Sequence, residues 1–165
     1  MTSAAPGPSA ADLAALSDYA MTLADGVALA LGPWVERCVR VTCENSGVML
    51  TGALRQKAVE AGADATAQIA PQVRSVLALD IDDQRVGPLE LVRGAVRWPT
   101  AVLRDAGIPE VARDQSARTM FPDDVYDLTP GSFRDIDPAL HELGLVWGAA
   151  KAHVHLSRRK AAGQR

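Results

Sequence analysis

The sequence predicts an all-α protein: a long N-terminal helical hairpin packed with several shorter helices, and an irregular Asp/Pro-rich loop before the C-terminal helix. Three observations predict it. Apolar residues make up 48% of the chain but aromatic residues only 4%, so the core must come from Ala, Leu and Val, which suits closely approaching helices better than a β-sandwich. Apolar positions recur in steps of three and four over long stretches. Gly and Pro fall between those stretches, where turns are needed. At 165 residues the chain fits one domain and can bury a core without disulfides or a structural metal.

The expected organisation is a flexible leader over 1–9, a single helical domain over 10–157 and a basic tail over 158–165. Within the domain, residues 10–79 form the hairpin and 80–157 the shorter helices and loop. Ser9 with Asp12 has the spacing of a capping box, so a helix should start near Ala10. Leu13, Leu16, Ala20, Leu23, Val27, Leu31, Trp34, Cys38 and Val41 share one stripe of it. Gly32-Pro33 predicts a kink or a short break, because proline removes a donor and clashes with the preceding turn. Asn45-Ser46-Gly47 is a turn signal. After it, Leu50, Leu54, Ala58, Ala61, Ala65 and Ile69 form a narrow face that lets another helix approach, with Pro71 as a kink or restart. The first helix should therefore run over 10–44 and its antiparallel partner over 48–79.

Asp80 to Gly87 reads as a polar loop, and Pro88 as the first residue of a helix carrying Leu89, Val92, Ala95 and Val96. Pro99 should restart that helix, since the residue before a proline, Trp98, is steered away from helical geometry. Gly107 is a C-terminal stop, and Ile108-Pro109 opens a brief helix toward Thr119. Phe121 to Pro138 should be an irregular loop with one short turn at Pro130 to Arg134. Asp137-Pro138 caps a last helix carrying Leu140, Leu143, Trp147, Ala150 and Val154, which Gly144 could divide.

The chemistry-bearing patterns are sparse. A net charge of −3 gives no general attraction to nucleic acid or anionic lipid. Cys38 and Cys43 fall on different helix faces, which suits reduced core thiols. The start of the chain resembles neither a secretory signal nor a membrane anchor, which points to the cytoplasm. Asp123-Asp124-Val125-Tyr126-Asp127 has DDxxD spacing and resembles the magnesium-diphosphate motif of prenyl-transferring and terpene-forming enzymes. The resemblance covers five residues, implies Asp123, Asp124 and Asp127 as metal ligands, and lacks the second motif and large cavity those enzymes use; a turn or capping role is favoured. His153 and His155 diverge by about 200° on a helix, too far for a shared metal. No phosphate loop, dinucleotide turn or nucleophile elbow is present, so no catalytic residue or cofactor is implied.

Arg85, Arg93, Arg97 and Arg104, then Arg113 and Arg118, give the middle of the chain an Arg-rich face. It could meet a phosphate or a carboxylate-rich partner, or be surface paired with Glu90, Asp105 and Asp114. The segments LALDIDDQR, PLELVRGAVRWPTAVLRDAGIP, FPDDVYDLTP and LVWGAAKAHVHL, between about Leu79 and Leu156, resemble a conserved hypothetical family of high-GC actinobacteria. That resemblance implies a taxonomic setting and no residue roles. The favoured reading is a non-enzymatic helical adaptor or regulator that binds a protein partner, or itself as a C2 dimer. Leu13, Leu16, Leu23, Val27 and Trp34 of the stripe, Phe121 and Tyr126 of the loop, and Arg93 and Arg97 are its candidate interaction residues. The alternatives are a small metal- or phosphate-dependent enzyme using the acidic loop, and a nucleic-acid or ribosome accessory using the Arg face and the tail.

Overall fold

A computed structural model describes residues 5–110 and 125–163. Among them the structure is all-α: α1 (Ala10–Asn45), α2 (Gly52–Ala78), α3 (Pro88–Arg93), a 3-10 turn (Gly94–Val96), α4 (Arg97–Asp105), α5 (Phe133–Ile136) and α6 (Pro138–Ala161). The brief helix expected toward Thr119 lies outside the described residues, apart from its Ile108-Pro109-Glu110 start.

The capping box opens α1: the Asp12 backbone N–H donates to Ser9 Oγ at 3.0 Å, and the Ser9 N–H to the Asp12 carboxylate at 3.1 Å. Gly32-Pro33 does not break the helix. Pro33 and Leu29, whose carbonyl loses its intrahelical donor, are both exposed, so water can satisfy that oxygen. Pro71 is likewise absorbed within α2. α1 ends where Gly47 turns left-handed at φ +67 and Val48 N–H reaches back to the Cys43 carbonyl at 2.9 Å. Thr51 then caps α2 by accepting from the Leu54 N–H, so that helix begins at Gly52 rather than at 48.

α1 and α2 form the antiparallel hairpin. Gly32 lies against Gly62, and Asp25 on the early part of α1 pairs with Arg74 on the late part of α2. The small face of α2 is buried as expected, with Leu54, Ala58, Ala61, Ala65 and Ile69 joined by Gly62, Val73 and Leu77. The approach is closest at Gly62: a Cβ there would stand 2.9 Å from the Gly32 carbonyl oxygen and 3.1 Å from its Cα. Backbone meets backbone at that point, so no side chain can move aside.

The buried face of α1 turns along its length. Ala20, Leu23, Val27, Leu31 and Trp34 are buried as the stripe predicts, but Leu13 and Val41 are exposed and Cys38 is only partly covered. Val35, Val39, Thr42 and Cys43 are buried instead. The reason is the reach of α6, which runs antiparallel to the first half of α1: His153 meets Asp12, Leu140 and Leu143 meet Gly26, and the Arg37 guanidinium donates to the Ile136 carbonyl at 2.6 Å. Arg37 bonds just ahead of the Pro138 start of α6, and past it the buried side of α1 turns to Val39, Thr42 and Cys43.

The second half is irregular; it shares the hairpin's core through Val92, Leu103 and Ile136 and adds side-chain bonds to backbone. The Pro88 start and the Gly107 stop are as expected, with Gly107 at φ +68 and Ile108 N–H bonded to the Leu103 carbonyl at 3.1 Å. The restart falls at Arg97, two residues before Pro99, and Trp98 is helical. Pro99 sits in the first turn, where its missing N–H would have found no intrahelical acceptor in a free-standing helix. Gly144 does not divide α6 but makes room for the Phe133 ring, which a Cβ would approach to 2.9 Å. Arg158 and Lys160 belong to the last turn of α6, so the expected basic tail is helical through Ala161.

Candidate ligand cavity

The hairpin register places the end of α2 beside about Ala20, so the first turns of α1 run on past it toward α6. A cavity of about 320 Å³ opens there. Leu13, Leu16, Ala20 and Met21 of α1, Leu77 at the end of α2, and Trp147 of α6 supply its apolar wall, and Leu79 to Gln84 closes one side. Leu13, Met21 and Leu79 are each between 40% and 48% exposed, so the opening has an apolar rim.

Two charged residues line the cavity, and they neutralise each other. The Arg158 guanidinium grips both oxygens of Asp80, at 2.6 and 2.8 Å, and also donates to Asp82 at 3.0 Å. Arg158 beside Asp80, with the Asp82 backbone N–H, holds the Asp80 carboxyl down to about 2. The same guanidinium is pushed further up in turn. Trp147 and Gln84 line the cavity with other atoms; Trp147 Nε1 and Gln84 Oε1 are covered by protein and have no hydrogen-bond partner in it. Gln84 is otherwise fixed by its Nε2, which donates to the Leu79 carbonyl at 3.2 Å. The Lys151 ammonium stands 5.0 Å from the centroid of the Trp147 ring.

Of the sequence-predicted interaction residues, Leu13 and Leu16 line this cavity. Leu23, Val27 and Trp34 are instead buried in the core, and Tyr126 is 4% exposed, its hydroxyl donating to the Ile108 carbonyl at 2.8 Å. The chain's own helices cover these four, so they present no surface to a partner. Burial pushes the Tyr126 phenol up. Arg93 serves the fold: its guanidinium donates to the Pro130 and Gly131 carbonyls, each at 3.0 Å, and pins the loop before α5. Arg97 bonds to the Gly94 carbonyl at 3.2 Å and covers the Trp98 ring at 5.0 Å. Phe121, Asp123 and Asp124 lie outside the described residues; Asp127 is exposed with φ +57. Among the described residues no three His, Cys, Asp or Glu side chains stand close enough to hold a metal ion.

The two histidines diverge as their spacing requires. His153 Nε2 lies 3.3 Å from Asp12 on α1, and His155 Nδ1 lies 3.8 Å from Asp82 in the loop. Together with Arg158 they fasten the end of α6 to both sides of the cavity. Sequence reasoning missed Gln84 and the Asp80–Arg158 clamp, because a lone Gln in a polar loop carries no motif and the partners are 78 residues apart. Comparison with protein-family models, curated proteins and solved structures returns no match for this chain.

Proposed function

We propose that the protein is a non-enzymatic helical adaptor or regulator that binds a protein partner through the first turns of α1 and the adjoining face of α6. One observation carries this reading. Beyond the end of α2, α1 still presents the large apolar side chains Leu13, Tyr19 and Met21, each about two-fifths exposed, where a solvated helix would present polar ones. On the α6 side, a shallow groove of Ala15, Tyr19, Val146, Ala149 and Ala150 lies next to Leu145, which is 60% exposed. Small residues there leave space for the side chains of a partner helix.

A cytoplasmic setting goes with this reading. Cys38 and Cys43 are not in a disulfide. α1 is long and apolar enough to cross a bilayer by length and composition, but eleven of its residues are buried against the rest of the chain.

The test is a parallel capture from the native host with the wild-type chain and with Tyr19→Glu and Leu145→Glu, read by mass spectrometry, alongside light scattering. The reading expects one protein, or a second copy of the chain, to be retained by the wild type and lost from both folded variants. Equal recovery with all three chains, together with a monomer in solution, would refute it.

A further inference from the structure

We propose that the cleft between α1 and α2, on the hairpin-turn side of the Gly32–Gly62 contact, binds a small organic phosphate through Arg37, Arg40 and Arg55. The inference does not depend on the partner surface, since neither Tyr19 nor Leu145 lines this cleft.

The cleft follows from the hairpin register. With Gly32 against Gly62, Glu36 of α1 comes level with Ala58 of α2, and Arg40 with the turn that carries Arg55. Pro33, Glu36, Arg37 and Arg40 stand three and four residues apart, so they share one side of α1. Ala58 is too small to fill the space opposite them, and a cleft of about 500 Å³ remains, within the range of small-molecule sites. Its wall has two parts: Pro33, Leu50 and Ala58 are apolar, and Glu36 with the three arginines is charged.

Charge sets the ligand class. At the far end of the hairpin the register brings Arg74 against Asp25, and the two helices are complementary. Near the turn it brings arginines from both helices to one cleft, where like charges oppose each other. The protein offsets little of this. Among the described residues, Glu36 and Arg55 have no ion-pair partner, and Arg40 has only an exposed contact with Glu44 at 3.4 Å. Arg37 spends one amino group on the Ile136 carbonyl, a neutral acceptor. A guanidinium has five donors, so all three keep N–H groups for an anion.

With Glu36 counted, the wall carries two net positive charges, which match the dianion of a phosphate monoester. Its three free oxygens give each guanidinium an acceptor, whereas a carboxylate has only two oxygens to share among three forks. Inorganic phosphate would leave the apolar part of the wall bare; an organic body on the ester covers Pro33, Leu50 and Ala58. A bilayer surface is too broad to enter a cleft of this size.

The test is calorimetry of the full chain with phenyl phosphate, inorganic phosphate, benzoate and phosphatidic acid vesicles. The expected result is saturable binding of phenyl phosphate, binding at least about tenfold weaker with inorganic phosphate and benzoate, and none with the vesicles. Arg40→Gln and Arg55→Gln, both at exposed positions, should each weaken phenyl phosphate about tenfold, the effect of one charge-assisted hydrogen bond. Arg74→Gln, at the other end of the hairpin, should leave it unchanged. The proposal is overturned if phenyl phosphate gives no saturable binding, or if any of the other three probes binds as tightly. It is overturned equally if Arg40→Gln and Arg55→Gln melt like the wild type and bind phenyl phosphate no more weakly than Arg74→Gln does, which leaves only a general attraction to positive charge.

Discussion

The α1–α2 hairpin and the half of the chain that follows it are held together by different means. In the hairpin, small residues bring two helices so close that backbone touches backbone at Gly32 and Gly62, and the order comes from packing. In the second half, helices of six and nine residues and one of four are too short to be stable alone. They bury Val92, Leu103 and Ile136 in the same core as the hairpin, and arginines add fixed contacts: Arg37 on the Ile136 carbonyl and Arg93 on Pro130 and Gly131, while Arg158 ties α6 to Asp80 and Asp82. The lesson is that a periodic region needs only the right volumes, whereas an irregular one needs particular hydrogen-bond donors aimed at particular carbonyls.

The sharpest way to break the hairpin is to enlarge or empty its core. Leu31→Ala, at a fully buried position, should cost about 3 kcal/mol in denaturant unfolding. The glycine pair should respond asymmetrically. Gly62→Ala drives a Cβ to 2.9 Å from a backbone oxygen and should destabilise by about 1–3 kcal/mol. Gly32→Ala finds its nearest atoms at 3.7 Å and should be neutral or stabilising by about 0.5 kcal/mol, because alanine is the better helix former. Equal losses at the two positions would show that the approach is looser than described.

In the second half, Arg93→Met leaves the Pro130 and Gly131 carbonyls without their donor and should cost about 1–2 kcal/mol. Hydrogen exchange should speed up around 125–137 and stay unchanged in α2. The smallest effect belongs to the exposed Asp80–Arg158 clamp. Its carboxyl is depressed to about 2 in the folded chain, against roughly 3.9 unfolded, so the unfolded chain takes up the proton first as pH falls. The contribution is therefore complete above pH 4 and disappears as pH drops from about 4 to about 2. Melting temperatures over that window should converge for the wild type and Arg158→Met; parallel curves would contradict the clamp.

The same contrast explains what was legible in the sequence. The capping box, the Ala-rich face of α2, the Pro88 and Pro138 helix starts and the Gly107 stop each rest on local rules, and each is found as read. Pro33 and Pro71 neither break nor restart their helices: each proline, and the residue four before it whose carbonyl loses its donor, is exposed to solvent. The rotation of the buried face after Arg37 was not legible, since it depends on where α6 begins. Leu23, Val27 and Trp34 matched an interface pattern and a core pattern equally well, and the partner that covers them is the chain itself. The cavity was half visible through Leu13, Leu16 and Trp147; Gln84 and Arg158 enter it only through the fold.

Native-state hydrogen exchange resolved by residue tests the two-region account most directly. The account predicts that amides of α1 and α2 near Gly32 and Gly62 exchange only by global unfolding, while those of α4, α5 and the 125–132 loop exchange through a lower-energy opening that Arg93→Met makes easier still. A single free energy of opening for both regions, lowered uniformly by Arg93→Met, would contradict it.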